Sequence, residues 1–284
     1  MKKTQIGQVV GFNILRGCVL TVLAILIIIL YDIFSKGAGK INWEFLSSMP
    51  RNGMTEGGIL PAIVGTFLVT IITAILSIPL GMGCAIYLNE YAGDSKITRL
   101  IRMSIRNLAG VPSIVYGLFG VILFVQLMNL GTCVLSAGLT LGLMTLPWTI
   151  TASEEALKNV PKSYREGSLA LGATKWHSIR TNVLPYAVPG MLTGTILGLS
   201  RAAGETAPIL FTGAAFFLPH LPKSLFDQFM ALPYHLYIMS TQHHAITQVR
   251  PIAYATALVL IVMVFAMNFV AVLIRYRLRK IKME

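Results

Sequence analysis

Arg201 and Glu205 stand four residues apart inside an apolar run from about Tyr186 to Phe211. An ionisable side chain at the middle of a membrane span costs about 2.5 to 3.5 kcal/mol on insertion scales, so the two need compensation. At helical spacing they share a face with Gly194 and Gly198, which turns both charges toward a helix-packed interior rather than lipid. Gly190, Gly194 and Gly198 recur every four residues and allow close helix contact. Pro208 lacks the amide that would bond the Gly204 carbonyl, which weakens the backbone beside the pair. Two chemistries stay open. The pair is a structural ion bridge, or it lines an anion path in which Arg201 attracts the substrate and Glu205 holds Arg201 until it arrives.

A second constellation is the polar stretch from Glu166 to Pro185. Pro161 suits a first helical position, Gly172 breaks the chain, and Thr174 can cap a second helix, so two short helices are predicted. On the first, Glu166, Gly167, Ala170 and Ala173 fall three or four apart, giving a face of little bulk around one carboxylate. Such a face can slot into a groove. On the second, Trp176, Ile179 and Val183 form an apolar stripe suited to the floor of a helix bundle, with Lys175 and Arg180 turned to water.

Both constellations belong to a membrane protein. The 284 residues are 55% hydrophobic and 12% charged with a mean hydropathy of +0.72, which excludes an ordinary soluble domain. A net charge of +12 invites a nucleic-acid reading, but the basic residues sit in loops between apolar runs and no polar domain gathers them. Cys18, Cys84 and Cys133 lie in or beside apolar runs without ligand spacing and are read as packing residues.

The apolar runs predict six spans: about Cys18 to Phe34, kept as an uncleaved first span, then Ile59 to Leu88, Leu108 to Leu130, Thr132 to Thr151, Tyr186 to Phe211, and Ile252 to Ile274. Pro79, Gly81 and Gly83 let the second tilt or kink. The third and fourth, joined by a tight turn at 129–132, are antiparallel neighbours. From Asn89 to Arg106, the apolar Ile97, Leu100, Ile101 and Ile105 alternate with Lys96, Arg99, Arg102 and Arg106, as in an interfacial helix. Residues 212–251 form a long aromatic loop that packs on the bundle or on a partner.

The basic residues set the orientation. With the amino terminus inside, 17 fall on the cytoplasmic side, whereas Lys36, Lys40, Arg51, Lys223 and Arg250 fall outside. Both termini and the Glu166 loop are therefore expected in the cytoplasm, and Arg275, Arg277, Arg279, Lys280 and Lys282 act as a stop-transfer signal.

The loop spacing resembles the EAA loop of permease subunits of ABC importers: Glu-Ala-Ala, three residues, Gly, nine residues, Ile, one residue, Leu-Pro. The matching residues are Glu166, Gly167, Ser168, Gly172, Asn182, Leu184 and Pro185, with Gly167 and Ser168 replacing the alanines and Asn182 the isoleucine. Arg201-Ala-Ala-Gly-Glu205-Thr-Ala-Pro208 and Ala109-Gly-Val-Pro112-Ser-Ile-Val-Tyr116-Gly-Leu-Phe-Gly120 are similar to the A-type permease subunit of the phosphate-specific ABC importer. The likeness spans roughly residues 59 to 275.

The resemblance implies an all-α integral membrane protein of the type I ABC importer permease fold, with six transmembrane helices and a cytoplasmic helix-turn-helix coupling loop. Residues 1–58 would hold an N-terminal cytoplasmic segment, the first transmembrane helix and an external loop, 59–275 the permease core, and 276–284 a basic cytoplasmic tail. It implies a bacterial cytoplasmic membrane location and phosphate as substrate. The implied partners are a homologous second permease, two cytoplasmic ATPase subunits, an external phosphate-binding protein and membrane lipid. ATPase coupling would fall to Glu166, Gly167, Ser168, Ala170 and Gly172, and the substrate pathway to Arg201 and Glu205.

Other chemistries find little support. His220, His235, His243 and His244 lack companions at metal-ligand spacing and read as solvated or interfacial. Gly37-Ala-Gly-Lys40 is no nucleotide loop, and hydrolase motifs are absent, so neither a metal nor a cofactor is expected. The competing substrates are sulfate, molybdate and phosphonate. A secondary transporter or channel would need the inverted repeats that this sequence lacks.

Overall fold

A computed structural model describes residues 2–280; residue 1 and residues 281–284, the end of the expected basic tail, lie outside the described residues. Helix α1, Lys2–Gly37, starts well before its apolar run, and from Val10 to Phe34 most of its large apolar side chains face outward. It meets the body at its far end, where Gly37 lies against the Tyr254 backbone too closely to admit a Cβ. A short helix α2, Trp43–Ser47, is capped by Asn42, whose Oδ1 accepts from the Phe45 amide at 2.7 Å. A two-strand hairpin follows, β1 Pro50–Arg51 and β2 Glu56–Gly57.

Helix α3, Leu60–Ile86, carries Pro61 in its first turn and runs into a π turn at Tyr87–Tyr91. Ser95 caps α4, Lys96–Leu108, the amphipathic helix that the alternating charges predicted. After a bend of 103° comes α5, Ser113–Gly120, prolonged by a π stretch at Val121–Leu127. The third predicted span therefore begins later than Leu108. Helix α6 is Val134–Lys158, α7 Lys162–Ala170, α8 Lys175–Ser178, and α9 Leu184–Ala203. Helices α10 (Ala207–Thr212), α11 (Leu232–Thr241) and α12 (Ile246–Lys280) complete the described chain. Among the described residues, five helices have the length and hydropathy to cross a membrane, and a sixth if the bent α4–α5 pair counts as one.

Glycines set the packing at the centre. Gly138 and Gly142 of α6 lie on Ile72 and Leu76 of α3, and Thr149 lies on Gly81, so numbering rises along both helices and they run parallel. On a neighbouring face of α6, Gly190, Gly194 and Gly198 of α9 face Ala156, Ala152 and Trp148, an antiparallel register. A Cβ at Gly194 would stand 2.0 Å from that of Ala152, which is why this repeat is needed. This arrangement brings the end of α3, all of α4 and the α7–α8 segment to one end of the bundle.

Two expectations need correction. The fifth span is not continuous, because α9 ends at Ala203 and the chain restarts as α10 after Gly204–Thr206. Pro208 explains the break, since its ring cannot extend α9 but fits the first turn of a new helix. Residues 212–251 are not simply a loop. Phe229, Met230 and Leu232 are buried core residues, the Leu232 amide donates to Thr66 Oγ1 at 2.8 Å, and α11 follows.

Candidate functional site

Arg201 lies in the last turn of α9 and Glu205 just beyond the helix end. Their side chains still meet, Nε to Oε1 at 3.2 Å, because the backbone continues to turn through Gly204. The Arg201 side chain is 52% exposed, with its guanidinium over the Trp148 ring at 5.4 Å, whereas the Glu205 side chain is 17% exposed. So Arg201 does not point into the packed interior of this chain. It sits on an open face shared by α6 and α9, while Glu205 turns inward beside Thr66, Thr70 and Phe229. A half-exposed pair of this kind holds a fold by only about 0 to 1 kcal/mol, so its guanidinium can be drawn to a passing anion at small cost.

The second site is the α7–α8 segment. Gly172 takes φ +83°, and two backbone bonds close α7, from the Gly172 amide to the Leu169 carbonyl (2.9 Å) and from the Ala173 amide to the Ser168 carbonyl (3.2 Å). This is the glycine-terminated helix end in which a left-handed residue satisfies the last carbonyls. Thr174 caps α8 as predicted, accepting from the His177 amide. Pro161 stands one position before the helix, at its N-cap, not at the first helical position.

Glu166, Gly167 and Ala170 are exposed, Ser168 is partly covered, and a Cβ at Gly167 or Gly172 would meet nothing. Around them the bulk is greater than the small-residue pattern implied, for Leu171 is 91% exposed and Tyr164, Leu169 and Trp176 also face outward. A concavity of ≈ 860 Å³ runs between Tyr164, Leu171, His177 and Asn182. The expected apolar stripe is only partly present. Ile179 and Val183 are buried, but Trp176, in the short α8 just ahead of a π stretch at Ile179–Val183, is 54% exposed. That π stretch leads directly into α9, so the two constellations lie at opposite ends of one rod.

Two partly buried ion pairs, which the sequence pattern did not indicate, brace the same end of the bundle. Arg165 binds Glu90 (Nη2 to Oε1, 2.7 Å) and Arg102 binds Glu154 (Nε to Oε1, 2.7 Å). The sequence offered only a weak signal: carboxylates at the ends of predicted spans, with no hint of their partners. His235 and His243, expected to be solvated or interfacial, are buried. Burial pushes the His235 imidazole down to about 4, and nearby His243 adds to this, so His235 is neutral at ordinary pH. Among the described residues, no His, Cys, Asp or Glu cluster could hold a metal.

The family described as "Binding-protein-dependent transport system inner membrane component" matches residues 77–280. The chain belongs to that family. It is thus a membrane permease subunit, and the matched region takes in both constellations. It is 33% identical over 266 residues to the Bacillus subtilis "Probable ABC transporter permease protein YqgI", covering 89% of this chain and 90% of that one. It is 33% identical over 263 residues to the Methanocaldococcus jannaschii "Probable phosphate transport system permease protein PstA", covering 92% and 90%. It is 35% identical over 223 residues to the Mycobacterium tuberculosis (strain CDC 1551 / Oshkosh) "Phosphate transport system permease protein PstA 1", covering 78% and 71%. Among solved structures, the permease resembles a bacterial ABC transporter that imports alginate (TM-score 0.63, 13% identity, 93% of this chain and 97% of that one). It also resembles the inward-facing MetNI methionine ABC transporter (TM-score 0.59, 17% identity, 78% and 94%). Those likenesses establish the type I importer permease fold.

Proposed function

We propose that this permease passes inorganic phosphate into the cytoplasm, driven by ATP that is hydrolysed on separate chains. The carrying observation is Arg201: a guanidinium on an open helix face, held loosely by Glu205, at the break between α9 and α10. A binding site needs a cation that is available yet not free to collapse onto lipid, and this arrangement provides one. A homologous second permease covering the α6–α9 face would enclose Arg201 and Trp148 in a pathway. Two cytoplasmic ATPase subunits would grip the exposed α7–α8 segment through Glu166, Gly167, Ser168, Ala170 and Gly172, and an external phosphate-binding protein would deliver the substrate. The names of the phosphate transport relatives support the choice of anion.

Uptake of labelled phosphate by a strain lacking this chain tests the substrate. High-affinity uptake is expected to be lost and to return with the gene. Normal phosphate uptake, with loss of sulfate, molybdate or phosphonate uptake instead, would transfer the reading to that oxyanion.

The proposed location is a bacterial cytoplasmic membrane with both termini inside, supported by the 17 basic residues on one side against five on the other. In a cysteine-free background, an impermeant thiol reagent applied from outside is expected to label Lys223→Cys and spare Lys175→Cys, both exposed positions. The reverse pattern would invert the topology.

A further inference from the structure

Helix α7 buries none of its own residues, so something else must hold it to the spans. The Arg165 head group does much of this. Its Nη2 donates to Glu90 Oε1 at 2.7 Å and to the Leu157 carbonyl at 3.0 Å, its Nε reaches both Glu90 oxygens at 3.2 Å, and its Nη1 donates to the Val160 carbonyl at 2.9 Å. Glu90 is 6% exposed and takes a further bond from Asn89 Nδ2. The Arg102 head group of α4 makes the complementary set, with Nε on Glu154 Oε1 at 2.7 Å and Nη2 on the Leu88 carbonyl at 2.6 Å.

The partners are crossed. Arg165 takes a carboxylate from the end of α3 and carbonyls from the end of α6, and Arg102 takes a carboxylate from α6 and a carbonyl from the end of α3. Each arginine therefore ties together the two spans that form the centre of the bundle. Local backbone geometry makes this possible. The π turn bonds the Ala92 amide to the Tyr87 carbonyl, so the Leu88 carbonyl has lost its usual partner and is open to Arg102. A planar fork places fixed donors on separate nitrogens, so it reaches a carboxylate and a carbonyl on different spans in one geometry, whereas the donors of lysine all radiate from a single rotating nitrogen.

We propose that Arg165, Glu90, Arg102 and Glu154 are positioning residues: a crossed clamp that transmits displacement of α7 to α3 and α6 as a rigid unit. The proposal rests on the reading of α7–α8 as the segment that the ATPase grips. Ion pairs with a buried carboxylate and added carbonyl bonds suit this task because several fixed bonds hold a single geometry, whereas an exposed pair slips. The clamp lies on the bundle side of α7, away from exposed Glu166, so disturbing it leaves the gripped surface intact.

The test uses the full complex in proteoliposomes, with labelled phosphate and labelled sulfate as probes and ATP hydrolysis read in the same vesicles. Glu90→Gln removes the charge and keeps the shape; Arg165→Lys keeps the charge and removes the fork. In both, the ATPase subunits are expected to copurify and to hydrolyse ATP at the wild-type basal rate, while anion taken up per ATP falls about 10-fold. The exchange Glu90→Arg with Arg165→Glu is expected not to restore the ratio, because a carboxylate cannot donate to the Leu157 and Val160 carbonyls. An unchanged ratio in both single variants overturns the clamp, as does recovery in the exchange. Loss of the ATPase from both single variants also overturns it, showing an anchor for assembly alone. The ratio is read with whichever anion the wild-type complex takes up, so an error in the substrate appears in the wild type and leaves the clamp test standing.

Discussion

Gly172→Trp is expected to uncouple ATP hydrolysis from transport while leaving the permease folded. The backbone at 172 is left-handed, φ +83°, and most L residues there are strained by roughly 1 to 2 kcal/mol. A Cβ at this position meets no neighbouring atom, so the indole has room and points away from the bundle. The strain is confined to an exposed turn, whose two closing bonds use backbone atoms that every residue has. What changes is the outer surface of α7–α8, where a large ring would fill the approach beside Ser168 and Ala173. Copurified ATPase and substrate-stimulated hydrolysis are each expected to fall about 10-fold or more at equal membrane abundance, which corresponds to about 1.4 kcal/mol of docking energy. Gly172→Asn separates bulk from backbone, since asparagine tolerates the left-handed region, and it is expected to behave like the wild type. Wild-type copurification and hydrolysis in the tryptophan variant would remove Gly172 from the docking surface.

The parts of this molecule that were legible from its sequence are those set by neighbours in the chain. Thr174 caps α8 because a hydroxyl three residues ahead of an amide reaches it locally, and Gly172 ends α7 because only a residue that accepts positive φ can. The amphipathic α4 was visible for the same reason. Hydropathy also found the spans, but it measures burial in lipid and not helix continuity, so it ran α9 and α10 together across Gly204 although Pro208 was in view. The π stretches at Tyr87–Tyr91 and Ile179–Val183 insert a residue without any compositional mark, and periodicity alone did not tell exposed Trp176 from buried Ile179 one turn on. The arginine clamp was out of reach altogether. Glu90 and Arg165 are 75 residues apart, Arg102 and Glu154 52, and nothing in local spacing selects those pairs among the charges near that end of the bundle. Likewise, the burial of His235 depends on Met230 and Leu232 folding back into the core, which a loop of prolines and aromatics does not announce.

Exchanging the charges of the α9 pair, Arg201→Glu with Glu205→Arg, is expected to preserve assembly and abolish transport. If the pair is only a bridge across the helix end, attraction is symmetric and the exchange should function. The structure shows where symmetry fails. Arg201 stands on the open face over Trp148, whereas Glu205 is turned inward, so the exchange moves a carboxylate onto the face where the anion is received and a guanidinium into the covered position. Losing the cation–ring contact costs about 0.5 to 1 kcal/mol at an exposed site, less than a factor of ten in any equilibrium. A fall in phosphate uptake of about 100-fold or more, about 2.7 kcal/mol, is therefore too large for that contact and reports repulsion of the anion. Trp148→Leu is the control and is expected to cost less than about 10-fold. Arg201→Ala alone is expected to lower membrane abundance further than the exchange does, because Glu205 is then left partly buried without a partner. Position favours an early role: at 1.5 Å per residue Arg201 lies about 22 Å along from Tyr186, near the end of α9 and toward the expected exterior. Near-normal uptake by the exchanged protein at matched abundance would reduce Arg201 and Glu205 to a structural bridge and leave the anion to be received elsewhere on the pathway.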